Sequence, residues 1–394
     1  MSRLPADERP AEPTGRRPDS SGRRQAPAGR RLDPVGRLAR LARIALPVAA
    51  VVVFGAGLAA ILAAAGPTLG YDFQAYLHAA RRLLEGQPLY DPGVDLAGGF
   101  AVFLYPPPFA LAFVPFGLLP DGLALAAWLA LLGAAFLAGV ALLPVRPDVR
   151  WLVLLLAGLQ WPFLYAMKLG QVTPLLFLAF AAGWRWLDRP AALAGAIAAG
   201  TAIKLQPALL FAWAVVERRW RAVALGAAAL AGLAIAATIV TGPAAWADYA
   251  ALLGRVSAPV TTPHNFTPGA IAWQAGVSET LATAIHWLSL LAVGLVTAFA
   301  WFRRDDETSY VVTVVASQLL SPVLWDHYAV VLLIPVALLL ERRQWWAVAI
   351  PLVTWGPAWV YPVAFFAALL GPLFRPPVEP SASPGAVGAV ARPG

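Results

Sequence analysis

Five arginine clusters punctuate a chain that otherwise avoids charge: Arg146 with Arg150, Arg185 with Arg189, Arg218 with Arg219 and Arg221, Arg303 with Arg304, and Arg342 with Arg343. Between them run long apolar stretches. Positive residues in short loops stay on the cytoplasmic side of a membrane. With all five clusters on that side, each stretch between them crosses an even number of times. The stretches 151–184, 190–217 and 305–341 are therefore predicted to be hairpins, and 222–302 a pair of spans around a polar outer loop at 242–279. Charged residues make up 13% of the chain, against about 25% in a soluble domain, so a water-soluble globular class is excluded. Cysteine is absent, which excludes disulfide scaffolds, thiolate metal sites and cysteine nucleophiles.

Two complete spans need about 40 residues, yet 190–217 offers 28 and 151–184 offers 34. The turns of these hairpins are expected to stop short of the outer surface. They also carry the polar residues: Lys168-Leu169-Gly170-Gln171, Lys204-Leu205-Gln206-Pro207, and Ser321-Pro322-Val323-Leu324-Trp325-Asp326-His327-Tyr328. Recessed, polar, proline-marked turns opening outward imply an intramembrane cavity, because irregular backbone is tolerated at that depth only where it lines protein or water.

The net charge of +8 would suggest a nucleic-acid partner, but residues 1–43 hold eleven arginines against five acids, and the remainder is nearly neutral. That segment lacks large apolar side chains and reads as a disordered basic cytoplasmic tail; the Pro, Ala and Gly of 373–394 read as a second disordered tail. The domain between them, 44–372, opens with a span at 44–65 that delivers the chain to a first outer loop, 66–104. There Phe73, Tyr76, Leu77, Ala80, Leu83 and Leu84 recur at helical spacing, with Gln74, His78, Arg81, Arg82 and Glu85 opposite. That pattern predicts an interfacial amphipathic helix starting immediately after Asp72 and ending at Gly86. Parity makes 109–120 a re-entrant element and 122–143 a span; 344–372, interrupted at Gly356-Pro357, crosses once or twice. The fold class is all-α and polytopic, with about 10–12 transmembrane helices.

Asp72 stands at the exit of the first span. A carboxylate held there, partly removed from water, would have a raised pKa and suit a general base; it would equally serve as the N-cap of the helix that follows. Lys204 is the only charge between Ala191 and Glu217. A lysine at bilayer depth costs about 2.5–3.5 kcal/mol unless paired or hydrated, which argues for an anionic partner such as phosphate, with snorkelling to the interface as the alternative. His327 can donate to a developing oxyanion or serve packing alone. His264 and Asn265 carry a weaker signal. The four histidines show no metal-ligand spacing, so no metal and no cofactor is expected. No nucleotide-binding motif is present, which speaks against ATP-driven transport by this chain and against a nucleotide-sugar donor.

The runs Tyr71-Asp72-Phe73-Gln74-Ala75-Tyr76, Leu84-Glu85-Gly86-Gln87-Pro88-Leu89-Tyr90-Asp91 and Phe103-Leu104-Tyr105-Pro106-Pro107 resemble the first outer loop of the family 87 glycosyltransferases. Gly170-Gln171-Val172, Lys204-Leu205-Gln206-Pro207 and Ser321 to Tyr328 resemble the later landmarks of the same family, in the same order. The resemblance covers about residues 45–345. It implies a GT-C-type membrane bundle that takes a sugar, mannose or arabinofuranose, from a polyprenyl-phosphate donor. The acceptor would be an outward-facing glycolipid or glycan. It implies Asp72 as the catalytic base of an inverting transfer, and Lys204 and His327 as holders of the departing phosphate. Tyr71, Gln171, Gln206, His264, Asn265, Trp325 and Asp326 are candidates for substrate contact. The expected location is the plasma membrane, with the N-terminus cytoplasmic and the active site outside. A transporter or flippase of a lipid-linked solute is the alternative; it requires a matching polar path on the cytoplasmic side, and the sequence places polar turns on one side only.

Overall fold

The structure, a computed structural model, describes residues 34–90, 102–256 and 258–374. The expected tails at 1–33 and 375–394, and the part of the first outer loop at 91–101, lie outside the described residues. Every regular element among those described is a helix. In chain order they are α1 (Pro34–Ala64), α2 (Tyr71–Leu84), α3 (Pro107–Gly117), α4 (Asp121–Leu142), α5 (Pro147–Leu159) and α6 (Trp161–Leu169). Then follow α7 (Thr173–Arg185), α8 (Pro190–Ile203), α9 (Leu209–Val216), α10 (Trp220–Thr241), α11 (Ala244–Val256) and α12 (Pro268–Gln274). The last are α13 (Glu279–Arg303), α14 (Asp306–Leu319), α15 (Leu333–Glu341), α16 (Ala349–Leu352) and α17 (Val360–Leu370). Met1–Ala42 is one unit and Arg43–Gly394 a second, compact one. The helix begins at Pro34, inside the stretch expected to be a tail.

Among the described residues four helices are long and apolar enough to cross a membrane alone: Ile44–Ala64 of α1, α4, α10 and α13. The pair α5 and α6, bent by 66°, is long and apolar enough to be either a broken span or a re-entrant loop. Pro162 lies in the first turn of α6, just past the break at Gln160; its missing N–H and ring clash stop α5 from running on. Against the expected 10–12 spans, the described residues thus hold four, or five with that pair, that are long and apolar enough. The shorter apolar helices among the described residues are α3, α8, Gln206–Val216, Trp345–Trp355 and Val360–Leu373. The segment 344–372 is divided at Gly356-Pro357 into two short apolar helical pieces, Trp345–Trp355 and Val360–Leu373. Its far end returns to the arginine turns, where Arg342 donates to the Pro372 carbonyl and Arg304 to that of Leu373, both at 3.0 Å.

All five arginine clusters meet at that one end. Arg146 pairs with Glu341 at 3.5 Å, Arg342 with Glu307 at 3.5 Å, and Arg219 bridges Asp306 and the Leu187 carbonyl. From this end α7 rises 13 residues and α8 14, about 20 Å each at 1.5 Å per residue. With the arginines at one edge of a hydrocarbon layer about 30 Å thick, the turns at Gln171 and Lys204 stop about 10 Å short of the other. The expected recess is thus a consequence of helix length.

Outside the bundle, α2 buries Phe73, Tyr76, Leu77 and Ala80 and exposes Gln74 and His78. The apolar face is the expected one. It packs on α3 and α6, however, so protein rather than lipid covers it. α3 has 11 residues, too few to cross, and lies along α2. An aromatic stack of Tyr76, Tyr105, Phe109, Phe113 and Trp128 locks these helices to α4, with centroids 4.7–6.4 Å apart. In α5, Gly158 is required by close approach: a Cβ there would lie 2.6 Å from the Phe54 Cα of α1.

Candidate active site

The base candidate is placed by a glycine. Gly70 (φ +75°) caps α2 without any side-chain help, and its N–H donates to the Lys168 carbonyl at 2.8 Å. The helix thus starts at Tyr71, before Asp72 rather than after it, and the N-cap reading of Asp72 is overturned. Freed from capping, the half-buried carboxylate accepts from Gln171 Nε2 at 2.8 Å. Gln171 is buried, and its Nε2 also lies 3.0 Å from the Tyr105 hydroxyl, which in turn pairs with the Tyr76 hydroxyl at 2.9 Å. Gln171 owes its position to Gly170 (φ +69°), whose carbonyl accepts from Trp128 Nε1 at 2.7 Å and whose Cα lies so near Phe73 that a Cβ would meet it at 2.9 Å.

Lys204 comes from the turn between α8 and the Gln206–Ala208 coil, where its extended backbone (φ −143°, ψ 148°) ends the helix. Its side chain is buried, and its Nζ sits 4.1 Å from the centroid of Tyr328 and 5.5 Å from that of Tyr105. No hydrogen-bond acceptor reaches that Nζ among the described residues. His327 is buried as well. Its Nδ1 lies 3.6 Å from Asp326, whose Oδ1 accepts from the His327 backbone N–H at 2.8 Å, and its Nε2 has no partner among the described residues. Burial pushes the Asp72 carboxyl above the usual aspartate range; the opposing pulls of His327, Lys204 and the Gln171 amide do not cancel it, and Asp326 adds to the rise. One carboxylate is thus surrounded by two cationic or protonatable groups and one amide donor, drawn from three separate hairpin turns.

The structure brings Asp72, Gln171, Lys204 and His327 together, with Asp326 and Trp325 alongside; Trp325 lies 5.9 Å from the His327 ring. Tyr71 is half-buried beside Asp72, and Gln206 donates to Ser321 at 3.2 Å across the hairpins. Two candidates do other work. Asn265 spends its whole side-chain amide on backbone, donating to the Pro259 and Pro322 carbonyls and accepting from the Thr267 and Leu324 N–H groups, so it ties the second outer loop to the His327 turn. His264 is exposed in a left-handed conformation (φ 54°) away from that amide network. Sequence reasoning passed over Tyr105, Tyr76 and Tyr328, which wall the site. The sequence signal for Tyr105 is its place before Pro106-Pro107. Among the described residues no three His, Asp or Glu side chains converge as metal ligands; the cationic groups around Asp72 suit an anion.

A model of glycosyltransferase family 87 matches residues 103–322, a span that includes Gln171 and Lys204 and stops short of Asp72 and His327. The polyprenol-phosphate-mannose-dependent alpha-(1-2)-phosphatidylinositol pentamannoside mannosyltransferase of Mycolicibacterium smegmatis is 30% identical over 281 residues, which cover 65% of this chain. The chain spans 66% of the length of that relative. No solved structure matches.

Proposed function

The chain belongs to glycosyltransferase family 87, and from that premise we propose that it moves a mannosyl residue from a polyprenyl-phosphate donor to an outward-facing glycolipid or glycan, with inversion. Asp72 takes the proton of the acceptor hydroxyl as that oxygen bonds to the anomeric carbon. The bond from that carbon to the phosphate oxygen breaks, and its electron pair leaves with the polyprenyl phosphate. Lys204 and His327 receive the charge that develops there. The observation that carries the reading is the unpartnered pair Lys204 Nζ and His327 Nε2, two buried nitrogens beside the Asp72 carboxylate that have no hydrogen-bond partner among the described residues. A buried ammonium without an acceptor is costly, and a phosphate arriving with each substrate compensates for it. Gln171, donating to Asp72, orients the base. On this reading the arginine end is cytoplasmic, the site opens outward, and the polyprenyl tail stays in the bilayer.

The test is transfer of labelled sugar from polyprenyl-phosphate-mannose to lipid acceptors in membranes holding matched amounts of wild type and Asp72→Asn. Loss of a positioned base predicts a fall of about 10²–10⁴-fold with normal protein levels. Wild-type rates in Asp72→Asn would remove the base from the mechanism. Absence of transfer by the wild type would turn the reading towards a transporter.

A further inference from the structure

Beside the site lies a cavity of about 480 Å³, within the size range of small-molecule pockets, lined by Trp161, Trp355, Phe266, Tyr361, Thr354 and Asp326. We propose that this aromatic pocket holds a pyranose ring of the acceptor, with Asp326 accepting from its hydroxyls. The proposal rests on the transfer reading above and names the part of the protein that would choose the acceptor.

Three observations select a sugar. First, the walls are flat and already fixed. Trp161 stacks on Tyr165 at 5.1 Å and lies 5.3 Å from Trp355, whose Nε1 donates to the Leu159 carbonyl at 2.5 Å; Phe266 stacks on Tyr361 at 4.7 Å, and the Tyr361 hydroxyl donates to the Thr354 carbonyl at 3.0 Å. The electron-rich faces of such rings suit the C–H face of a pyranose. Second, one carboxylate shares the space. Asp326 uses Oδ1 on the His327 N–H, and its side chain, 18% exposed, lines the cavity. An isoprenoid tail would leave that carboxylate unsatisfied, whereas sugar hydroxyls donate to it. Third, charge divides the two substrates. A phosphate is attracted to Lys204 and to the unpartnered Nε2 edge of His327 and repelled by Asp326, so the donor's headgroup belongs on the side of Lys204 and that nitrogen, and a neutral hydroxylated ring on the Asp326 side. Asp326 lies 3.6 Å from His327, so a ring seated against it borders the group that faces the donor.

The occupant can be a free glycan end or the sugar of a membrane-anchored lipid, since both present the same ring. Saturation-transfer NMR on the full-length protein in detergent separates them, with methyl α-D-mannopyranoside and octyl α-D-mannopyranoside as probes. Wild type and Asp72→Asn are expected to pass saturation to the ring protons of the mannosides. Trp355→Ala and Trp161→Leu should lose most of that signal, and Trp355→Phe, which keeps an aromatic face, should recover it. Trp355 is 58% exposed, so its truncation leaves the fold in place. Added polyprenyl phosphate is expected to leave the signal intact. A preference for the octyl form identifies a lipid-anchored acceptor and a preference for the methyl form a free one. Equal signals from wild type and both tryptophan variants, or loss of the signal on adding polyprenyl phosphate, would overturn the proposal. Wild type that binds mannoside at this pocket yet transfers no sugar would sink the transfer reading and leave the pocket standing. In a protein that does transfer, Trp355→Ala should raise the acceptor KM and leave the donor KM alone.

Discussion

At the arginine end of α7, α8 and α14, each charged group that reaches across the bundle ends on a partner: Arg219 on Asp306 and the Leu187 carbonyl, Arg342 on the Thr308 hydroxyl at 2.7 Å, Trp184 Nε1 on Glu307 at 3.0 Å. At the other end of the same helices Lys204 Nζ has no acceptor and His327 Nε2 no partner among the described residues. One set of helices therefore carries at the arginine end a belt whose charged groups each hold a protein partner, although Arg146, Arg219 and Arg304 keep a buried Nε without one, and at the other end a cluster whose Lys204 Nζ has no acceptor among the described residues. The belt's charges are held by the fold; the cluster's ammonium is left to something that binds. Residues at the two ends should consequently respond in opposite senses when replaced, one set in stability and the other in catalysis.

The largest difference is expected at Lys204. Lys204→Met removes the charge offered to the leaving phosphate and should lower transfer by about 10²–10³-fold. The same change ends the burial of an ammonium with no acceptor, so the thermal unfolding midpoint in detergent should hold or rise. Activity and midpoint measured on one preparation check both halves. A midpoint that falls as far as the activity would mean that Lys204 belongs with the belt, held by its contacts to Tyr328 and Tyr105 as a structural group.

A smaller effect is expected at Gln171. Its amide is one of the groups that hold the Asp72 carboxyl down against burial. A general base works when deprotonated, so activity is present above the pKa of Asp72 and lost as pH falls through it. Because burial raises that pKa, the acid limb of kcat/KM should lie above the ordinary aspartate value of about 3.9. Gln171→Leu should move the limb further up and lower the plateau by about tenfold, as expected when one charge-assisted hydrogen bond is lost. A pH profile from 4 to 8 on both proteins reads the shift. A limb that stays in place would separate Gln171 from the titration of Asp72.

The contrast between the ends also explains what could be read without coordinates. The turns at Gln171, Lys204 and His327 were legible because a polar residue in an apolar stretch stands out, and because hairpins of 28 and 34 residues cannot reach across twice. The belt was legible as positive charge, but its acceptors are largely backbone carbonyls such as Leu187, Pro372 and Leu373, which no side-chain pattern announces. That is why the direction of 344–372 could not be fixed beforehand. Asp72 read equally well as cap or base, since the left-handed turn at Gly70 that takes over the capping position depends on a contact with Lys168 nearly a hundred residues away. Asn265 looked available for substrate for a similar reason: all of its partners are backbone groups of two loops that meet only in the folded chain.

The smallest catalytic effect should come from the belt itself, and it tests the comparison from its other side. Arg219 has a side chain only 15% exposed. It joins three elements, bonding Asp306 at the start of α14, the Leu187 carbonyl after α7, and the face of Trp213 in α9 at 5.1 Å. Trp213 in turn donates to Ser309 at 2.9 Å, so the cation sits on top of a buried hydrogen-bonded pair. Asp306 is 56% exposed, and water screens its share of the attraction; the loss on truncation comes mainly from the Leu187 carbonyl and the tryptophan face. Arg219→Ala should therefore cost about 1–2 kcal/mol of stability, seen as a lower unfolding midpoint. Transfer per folded molecule and the pH limb of Asp72 should stay unchanged, because about 20 Å of helix separates the two ends. Arg219→Lys keeps the charge but not the two-pronged reach, and should recover only part of the stability. If Arg219→Ala instead slowed transfer at an unchanged midpoint, the two ends would be coupled, and the belt would be acting on the geometry of Lys204 through α8 and α9.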